Sequence, residues 1–341
     1  LNSIKDNSVD GFVGIICGKN NGTISNCNVS GKINSVENYI TEETLDTNVY
    51  SYVGGISGEN NGIIQNCGSK ALVIGCYAGG IVGGRNRVGS ILDSCYNLGL
   101  VSGSDYASGI CGGVNYGEIS KCYNSGTIDG SRYVSGISSN NGANIENCFN
   151  SGTLHGGSFV GGIVADWNSG NISCCYNVGD IYSTDYFGGI IFPSLNSESG
   201  TVSNSYYLDN IPEEVGTGRK EGTRCSYEQM LEKDCFINFD FSTVWEVEIE
   251  SDYEFPVLKN IRYSNINNSI YESADGTGKW WDPYKIRTKY DLDNIRNDLD
   301  AYYKLVGNIV FNKSDFDADG DFYNNGQGWI PIGTDNANSF S

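Results

Sequence analysis

Histidine is almost absent from this chain: His155 is the only one in 341 residues. A zinc protease of the His-Glu-x-x-His type therefore has no place in it. A Ser-His-Asp triad would have to recruit His155 from Leu154-His155-Gly156-Gly157, a turn with no supporting motif. There is no Cys-x-x-Cys pair, which together with the single His argues against a structural zinc site. Basic residues are scarce: 21 Lys and Arg against 41 Asp and Glu leave a net charge of -20. Nucleic acids and anionic membranes both call for the opposite sign. No apolar run approaches the ~20 residues of a membrane span, and no signal peptide opens at Leu1. Helix-forming runs are rare before residue 220. The acidity itself reads as solubility, or more sharply as a surface for an ion-rich exterior or for cations.

Abundance tells more than absence. Gly (46), Tyr (23) and Cys (12) are enriched, and they fall into one phrase that recurs seven times. The phrase is a Gly-rich apolar tetrad, an Asn-Gly turn, an Asn-Cys-Tyr-Asn run and a Gly. Aligned on the tetrad, the copies place Ile16, Ile56, Ile81, Ile110, Ile137, Ile163 and Ile190 in one slot. A second slot reads Cys27, Cys67, Cys95, Cys122, Cys148 and Cys175, then Ser205, the six Cys being 40, 28, 27, 26 and 27 residues apart. An aromatic follows (Tyr96, Tyr123, Phe149, Tyr176, Tyr206), then Asn (Asn97, Asn124, Asn150, Asn177), then Gly (Gly31, Gly99, Gly126, Gly152, Gly179). The long first interval holds an insertion around Glu37–Tyr50 that is expected to leave the stack as a loop.

A period near 27 residues, with short β-branched segments broken by Gly, implies stacked coils of two or three strands each. Strands of successive coils then pair in parallel about 4.8 Å apart, and like residues form ladders. Ile ladders fill the interior, Asn ladders chain their amides, and the Gly row permits positive φ at corners. The fold class expected is all-β: a parallel β-helix, right-handed by the crossover rule, with α+β capping segments. A β-propeller is the rival, but its blades are longer, antiparallel and four-stranded.

The tetrad Gly80-Ile81-Val82-Gly83, with the Asn-Gly, Ile and Asn-Cys-Tyr-Asn-x-Gly slots that follow, resembles the GLUG-motif repeat. The resemblance covers residues 11–208, with departures at Ile15, Ser138, Ser139 and Phe192. It implies a β-helix segment of a large bacterial surface protein, of the kind found in adhesin-like proteins and in non-catalytic regions of immunoglobulin A proteases. On this reading the chain is a piece of a longer polypeptide, with targeting signals outside it.

Three domains are expected. Residues 1–208 form the β-helix. Residues 209–262 form a cap, with a capping box at Ser226-Tyr227-Glu228-Gln229 opening a short helix and Phe239, Phe241, Trp245 and Phe255-Pro256-Val257-Leu258 plugging the stack's open end. Residues 263–341 open a second repeat domain. There Thr288 caps a helix carrying Leu292, Ile295 and Leu299, a strand runs over Tyr302–Val310, and Trp329-Ile330-Pro331-Ile332-Gly333 resembles the start of further repeats.

The candidate chemistry is sparse. The ladder Cys are expected as buried free thiols acting as small hydrophobes. Cys174, in the slot usually held by Asn, is expected to be the exposed thiol. Cys225 and Cys235 flank the short helix at a separation that allows a local disulfide. Asp315, Asp317, Asp319 and Asp321 around Gly320 match the first half of a calcium loop, but the twelfth position is Gly326 rather than the bidentate Glu, so Ca2+ competes with a solvated acidic loop. Trp280-Trp281 reads as a cap plug or a sugar platform, and Trp167 beside Asp166 as a ligand-facing turn. No catalytic constellation is found. The reading is a non-catalytic, monomeric, extracellular surface module, adhesin- or stalk-like, with a host glycan or protein as partner and no cofactor beyond possible Ca2+. The alternative is a carbohydrate-binding or carbohydrate-active β-helix of the lyase or glycosidase kind, which needs carboxylates grouped on a coil face.

Overall fold

The computed structural model describes residues 3–6, 11–35, 50–192, 200–209, 222–247, 254–259, 261, 284–286, 289–295, 303–305, 309, 311 and 316. The chain divides into two units, Leu1–Arg262 and Tyr263–Ser341. The first is a parallel β-solenoid with the expected repeat as its coil. One wall is a seven-stranded parallel sheet, a strand per coil: Thr23–Ser25, Ile63–Gln65, Ile91–Asp93, Glu118–Ser120, Asn144–Glu146, Asn171–Ser173 and Thr201–Ser203. The other strands of the coils belong to an 18-stranded sheet and to two two-stranded parallel pairs, Cys17–Asn20 with Ser57–Asn60 and Cys111–Asn115 with Ser138–Asn141. The register is residue on like residue, for example Ile64↔Leu92↔Ile119↔Ile145↔Ile172.

Two apolar clusters fill the coils. One combines the tetrad Ile, the wall residues from Ile64 to Ile172 and the Cys slot. The other combines Val53, Ala78, Ala107, Val134 and Val160 with Ile33, Val73, Val101, Ile128 and Leu154. Each buried Ile contributes about 1.5–3 kcal/mol of transfer free energy. Ile16 of the first coil is the exception and is exposed.

Fully buried Asn97, Asn124, Asn150 and Asn177 run as a ladder, each amide donating to the next carbonyl oxygen at 2.7–2.8 Å. The Gly just before the tetrad Ile makes room for them: a Cβ on Gly109 would lie 2.5 Å from the Asn124 side chain, and one on Gly136 2.5 Å from Asn150. A second amide ladder runs Asn20, Asn60, Asn86, Asn115, Asn141, Asn168, at 2.8–2.9 Å. It uses the Asn that begins each turn, which precedes the Asn-Gly pair at Asn20 and Asn60 but is itself the Asn of that pair at Asn141-Gly142.

The expectation that the Gly row supplies positive φ is corrected. Of that row only Gly31 has it; the residue before each ladder Cys does so in every coil, Asn26, Asn66, Ser94, Lys121, Asn147, Cys174 and Asn204, at φ 46–55°. Asn tolerates this left-handed region better than most side chains. Gly126, Gly152 and Gly179 are instead there for closeness, since a Cβ would come within 2.0–2.1 Å of the preceding coil's Gly carbonyl oxygen.

The cap contains the expected helix, Tyr227–Leu231, with the Ser226/Gln229 capping box formed. Its plug is placed differently from the expectation. The strand Thr223–Cys225 adds to Tyr206–Leu208 and continues the stack. The aromatic cluster lies along the side of the coils: Trp245 packs on Phe149 and Tyr176, and Phe236 on Tyr176 and Tyr206. Trp245 Nε1 donates to Asn147 Oδ1 at 3.0 Å. This placement also corrects the expectation for Cys174: its thiol donates to the Asn238 carbonyl at 3.5 Å and is buried, because the cap reaches back over the corner row. In the second unit, Tyr284–Ile286 pairs in parallel with Tyr303–Leu305, the described part of the expected strand, and the helix spans Lys289–Asn294.

Two outcomes test this architecture. Asn124→Ala orphans the Asn97 donor and the Asn150 acceptor at about 1–3 kcal/mol each, so chemical denaturation should show a loss of about 3 kcal/mol. Asn61→Ala, on the exposed face, should cost less than about 0.5 kcal/mol. Cys174 should resist alkylation in the native protein and react at least about tenfold faster in Trp245→Ala; equal rates would place the cap elsewhere.

Candidate ligand-binding face

Most residues that looked chemical are consumed by stacking. All twelve Cys are free thiols. In the ladder, the backbone N–H of Cys95, Cys122 and Cys148 each points at the next Sγ at 3.4 Å, and each of these thiols donates to the carbonyl two residues back at 3.2–3.3 Å. Ser205 repeats both bonds with its hydroxyl: it accepts from Cys175 N at 3.2 Å and donates to Ser203 O at 2.9 Å. The slot thus selects a small group that both donates and accepts, which is why Ser replaces Cys there. Burial pushes the thiol of Cys111, one slot after the tetrad Ile, up to about 11.

His155 is buried and stacks on Tyr182 at 4.9 Å. Its column reads Ser102↔Asp129↔His155↔Tyr182. Asp129 stands between Ser102 and His155, whereas a triad needs the His in the middle. The insertion (residues 37–49 of it), Trp280-Trp281 and the acidic run Asp315, Asp317, Asp319 and Asp321 lie outside the described residues. Among the described residues no group of three or more His, Cys, Asp or Glu is placed to hold a metal.

A second aromatic ladder, unforeseen from the sequence, runs up the outside of the coils. Phe12, Tyr52, Tyr77, Tyr106, Tyr133, Phe159 and Tyr186 stack with centroids 4.5–5.7 Å apart. All are half-buried except Tyr186, which is 44% exposed. Each stands four residues before a tetrad Ile, a fully periodic signal that an alignment begun at the tetrad passes over. Lys19 Nζ sits 4.2 Å over the Phe12 ring. Arg132 lies over Tyr133 and pairs with Asp105 at 3.3 Å. At the far end Phe192, one of the departures from the repeat, packs on Phe159 and Tyr186. Because ring faces cover one another, this ridge offers solvent its edges and phenol hydroxyls. Asp166 joins it: burial first, then neighbouring charges that include Asp166, raise Tyr106 and Tyr133, Tyr106 to about 12. Trp167 is half-buried, with its backbone N–H held by Asn140 Oδ1 at 3.1 Å.

Beside the ridge lies a groove of about 300 Å³ lined by Asn34, Ser35, Ile74, Gly75, Ser102, Gly103 and Ser104. It forms where one corner is a residue shorter: Gly75-Cys76-Tyr77 faces Gly103-Ser104-Asp105-Tyr106, and the register shifts there. Ser35 and Tyr50 flank the insertion, and the Tyr50 ring meets Tyr77 edge-on at 5.6 Å. An ion cluster around a buried carboxylate stands on another turn: the Glu59 side chain, 2% exposed, takes the half-exposed Arg87 at 2.8 Å and Lys19 at 3.5 Å.

No family model matches the chain, so the GLUG resemblance rests on the residues of the repeat. No curated protein matches either. Among solved structures, one described as "a putative immunoglobulin A1 protease from Bacteroides ovatus" is similar, at 17% identity and a TM-score of 0.45, over 68% of this chain and 86% of that one. At that identity and score the likeness carries no inference about activity here.

The ridge makes a pH prediction. A folded-state phenol raised to about 12, against about 10 unfolded, contributes stability that is intact below pH ~10 and lost as pH climbs toward ~12. Tyrosinate absorbance and circular dichroism should therefore change together in that window. Ionisation of all Tyr near pH 10 with the fold intact would contradict the packing of the ridge.

Proposed function

We propose that this segment is a non-catalytic, monomeric surface module, adhesin- or stalk-like, of a larger extracellular bacterial protein, and that it binds a host glycan or protein at the groove beside the tyrosine ridge. The observation that carries this reading is convergence. The shortened corner, the ridge and both ends of the insertion meet on one face, around Ser35, Tyr50, Gly75, Tyr77 and Ser104. Elsewhere on the coils, Asn, Cys and Gly are committed to neighbouring coils. The groove is lined by the hydroxyls of Ser35, Ser102 and Ser104, the Asn34 amide, Ile74 and two glycines, which suits a hydroxyl-rich ligand that also carries an apolar face. Flat stacking of a sugar on the ridge is disfavoured, since its ring faces are already occupied.

The carbohydrate-active alternative has one observation in its favour: Asp105, Asp166 and Arg132 all stand close to Tyr106 and Tyr133. Against it, an effective acid or base is tuned toward working pH, whereas Tyr106 moves away, to about 12.

Ser104 is exposed, so Ser104→Trp fills the groove without touching the core. Binding to a glycan array and to immobilised host matrix proteins should weaken by about tenfold or more, a loss near 1.4 kcal/mol, with polysaccharide chain length unchanged on incubation. Undiminished binding would remove the groove from the reading, and depolymerisation would favour the alternative.

A further inference from the structure

Cys225 and Cys235 are the cap's own pair of thiols, apart from the ladder. Their Sγ atoms lie 3.3 Å apart. Cys225 ends the strand Thr223–Cys225, where it pairs with Leu208 at the last strand of the stack. Cys235 ends the 3-10 turn Lys233–Cys235. The three residues after it make the cap's grip on the coils. Phe236 meets Tyr176 and Tyr206 edge-on. The Ile237 N–H donates to the Tyr206 hydroxyl at 3.0 Å, and the Asn238 carbonyl accepts from Cys174. The pair therefore bridges the end of the sheet and the segment that docks on its side.

We propose that Cys225 and Cys235 form a reversible disulfide clasp, closed by exchange with a low-molecular-weight disulfide of the glutathione class, which fastens the cap to the last strand. Cys235 is half-buried and Cys225 buried, so Cys235 reacts first. Its thiolate attacks one sulfur of the small disulfide, forms a mixed disulfide and expels one small thiolate. The Cys225 thiolate then attacks the Cys235 sulfur and expels the second. Two protein S–H bonds are lost and one S–S bond is gained. The small disulfide is reduced to two thiols, which take up the two protons. A disulfide needs its sulfurs about 2 Å apart, so closure moves them by only about 1.3 Å. The ladder thiols Cys95, Cys122, Cys148 and Cys175 are fully enclosed and out of reach of such an exchange. This inference is independent of what the groove binds.

The test exposes the whole chain to glutathione buffers of rising oxidised fraction, with acid quenching, alkylation and peptide mapping by mass. A linked Cys225–Cys235 peptide should form at least about tenfold faster than Cys95, Cys122, Cys148 or Cys175 reacts. Proteolysis within residues 222–247 should slow about tenfold in the linked form and recover on reduction. Cys235→Ser should lose both effects while keeping the Trp245 fluorescence of the docked cap. Glutathione adducts without the linked peptide would overturn the proposal, as would a linked peptide with unchanged proteolysis.

Discussion

The structure depends on one constraint: in a parallel, in-register stack every side chain meets the occupant of the same slot in the next coil, and in the buried slots that is mostly its own kind. A buried polar slot is then stable only if the group both donates and accepts along the axis. Asn does so through Nδ2 and Oδ1, and two ladders exploit it, one of them wholly enclosed between glycine rows. A carboxylate there would face its own charge, and an aliphatic side chain would leave backbone groups in the adjoining turn without their bonds. The Cys slot obeys the same requirement in weaker form, with a thiol that donates back to a carbonyl and accepts an N–H, and Ser205 satisfies it with a hydroxyl. Aromatic slots obey it by stacking face to face, both on the coils beneath the cap and on the outer ridge.

The same constraint shows where function can be accommodated. A slot occupied by a ladder is committed, because changing it breaks bonds to two neighbouring coils. Freedom exists only where the repeat is interrupted. One corner is short at Cys76, an insertion falls between Ser35 and Tyr50 in the sequence, and Phe192 replaces a small residue and closes the ridge. The groove is a product of such an interruption. Glu59 marks another: between Lys19 and Arg87 its charge is neutralised across coils rather than repeated along them.

Much of the fold was legible in the sequence because period and slot chemistry are local properties. The tetrad Ile, the Cys–Ser205 column and the Asn97 column could be aligned by eye, and the coil followed. The capping box at Ser226 was equally local and formed as expected. The outer ridge was also periodic, at Tyr52, Tyr106 and their equivalents, and was missed only because it precedes the tetrad. The groove was not legible in this way. It arises from a one-residue difference between two corners, which matters only once those corners are adjacent.

The sequence by itself determined the repeating coil, the parallel register and the identity of the Ile, Cys and Asn97 ladders, because like-on-like stacking turns a linear period directly into contacts. Only the tertiary structure decided which residue takes the left-handed corner, that Cys174 is covered, and that the cap lies along the coils instead of over their end. It alone also brought Cys225 to Cys235 and set the groove beside the ridge. These depend on how segments of different period meet, and no repeat within one segment encodes its docking on another.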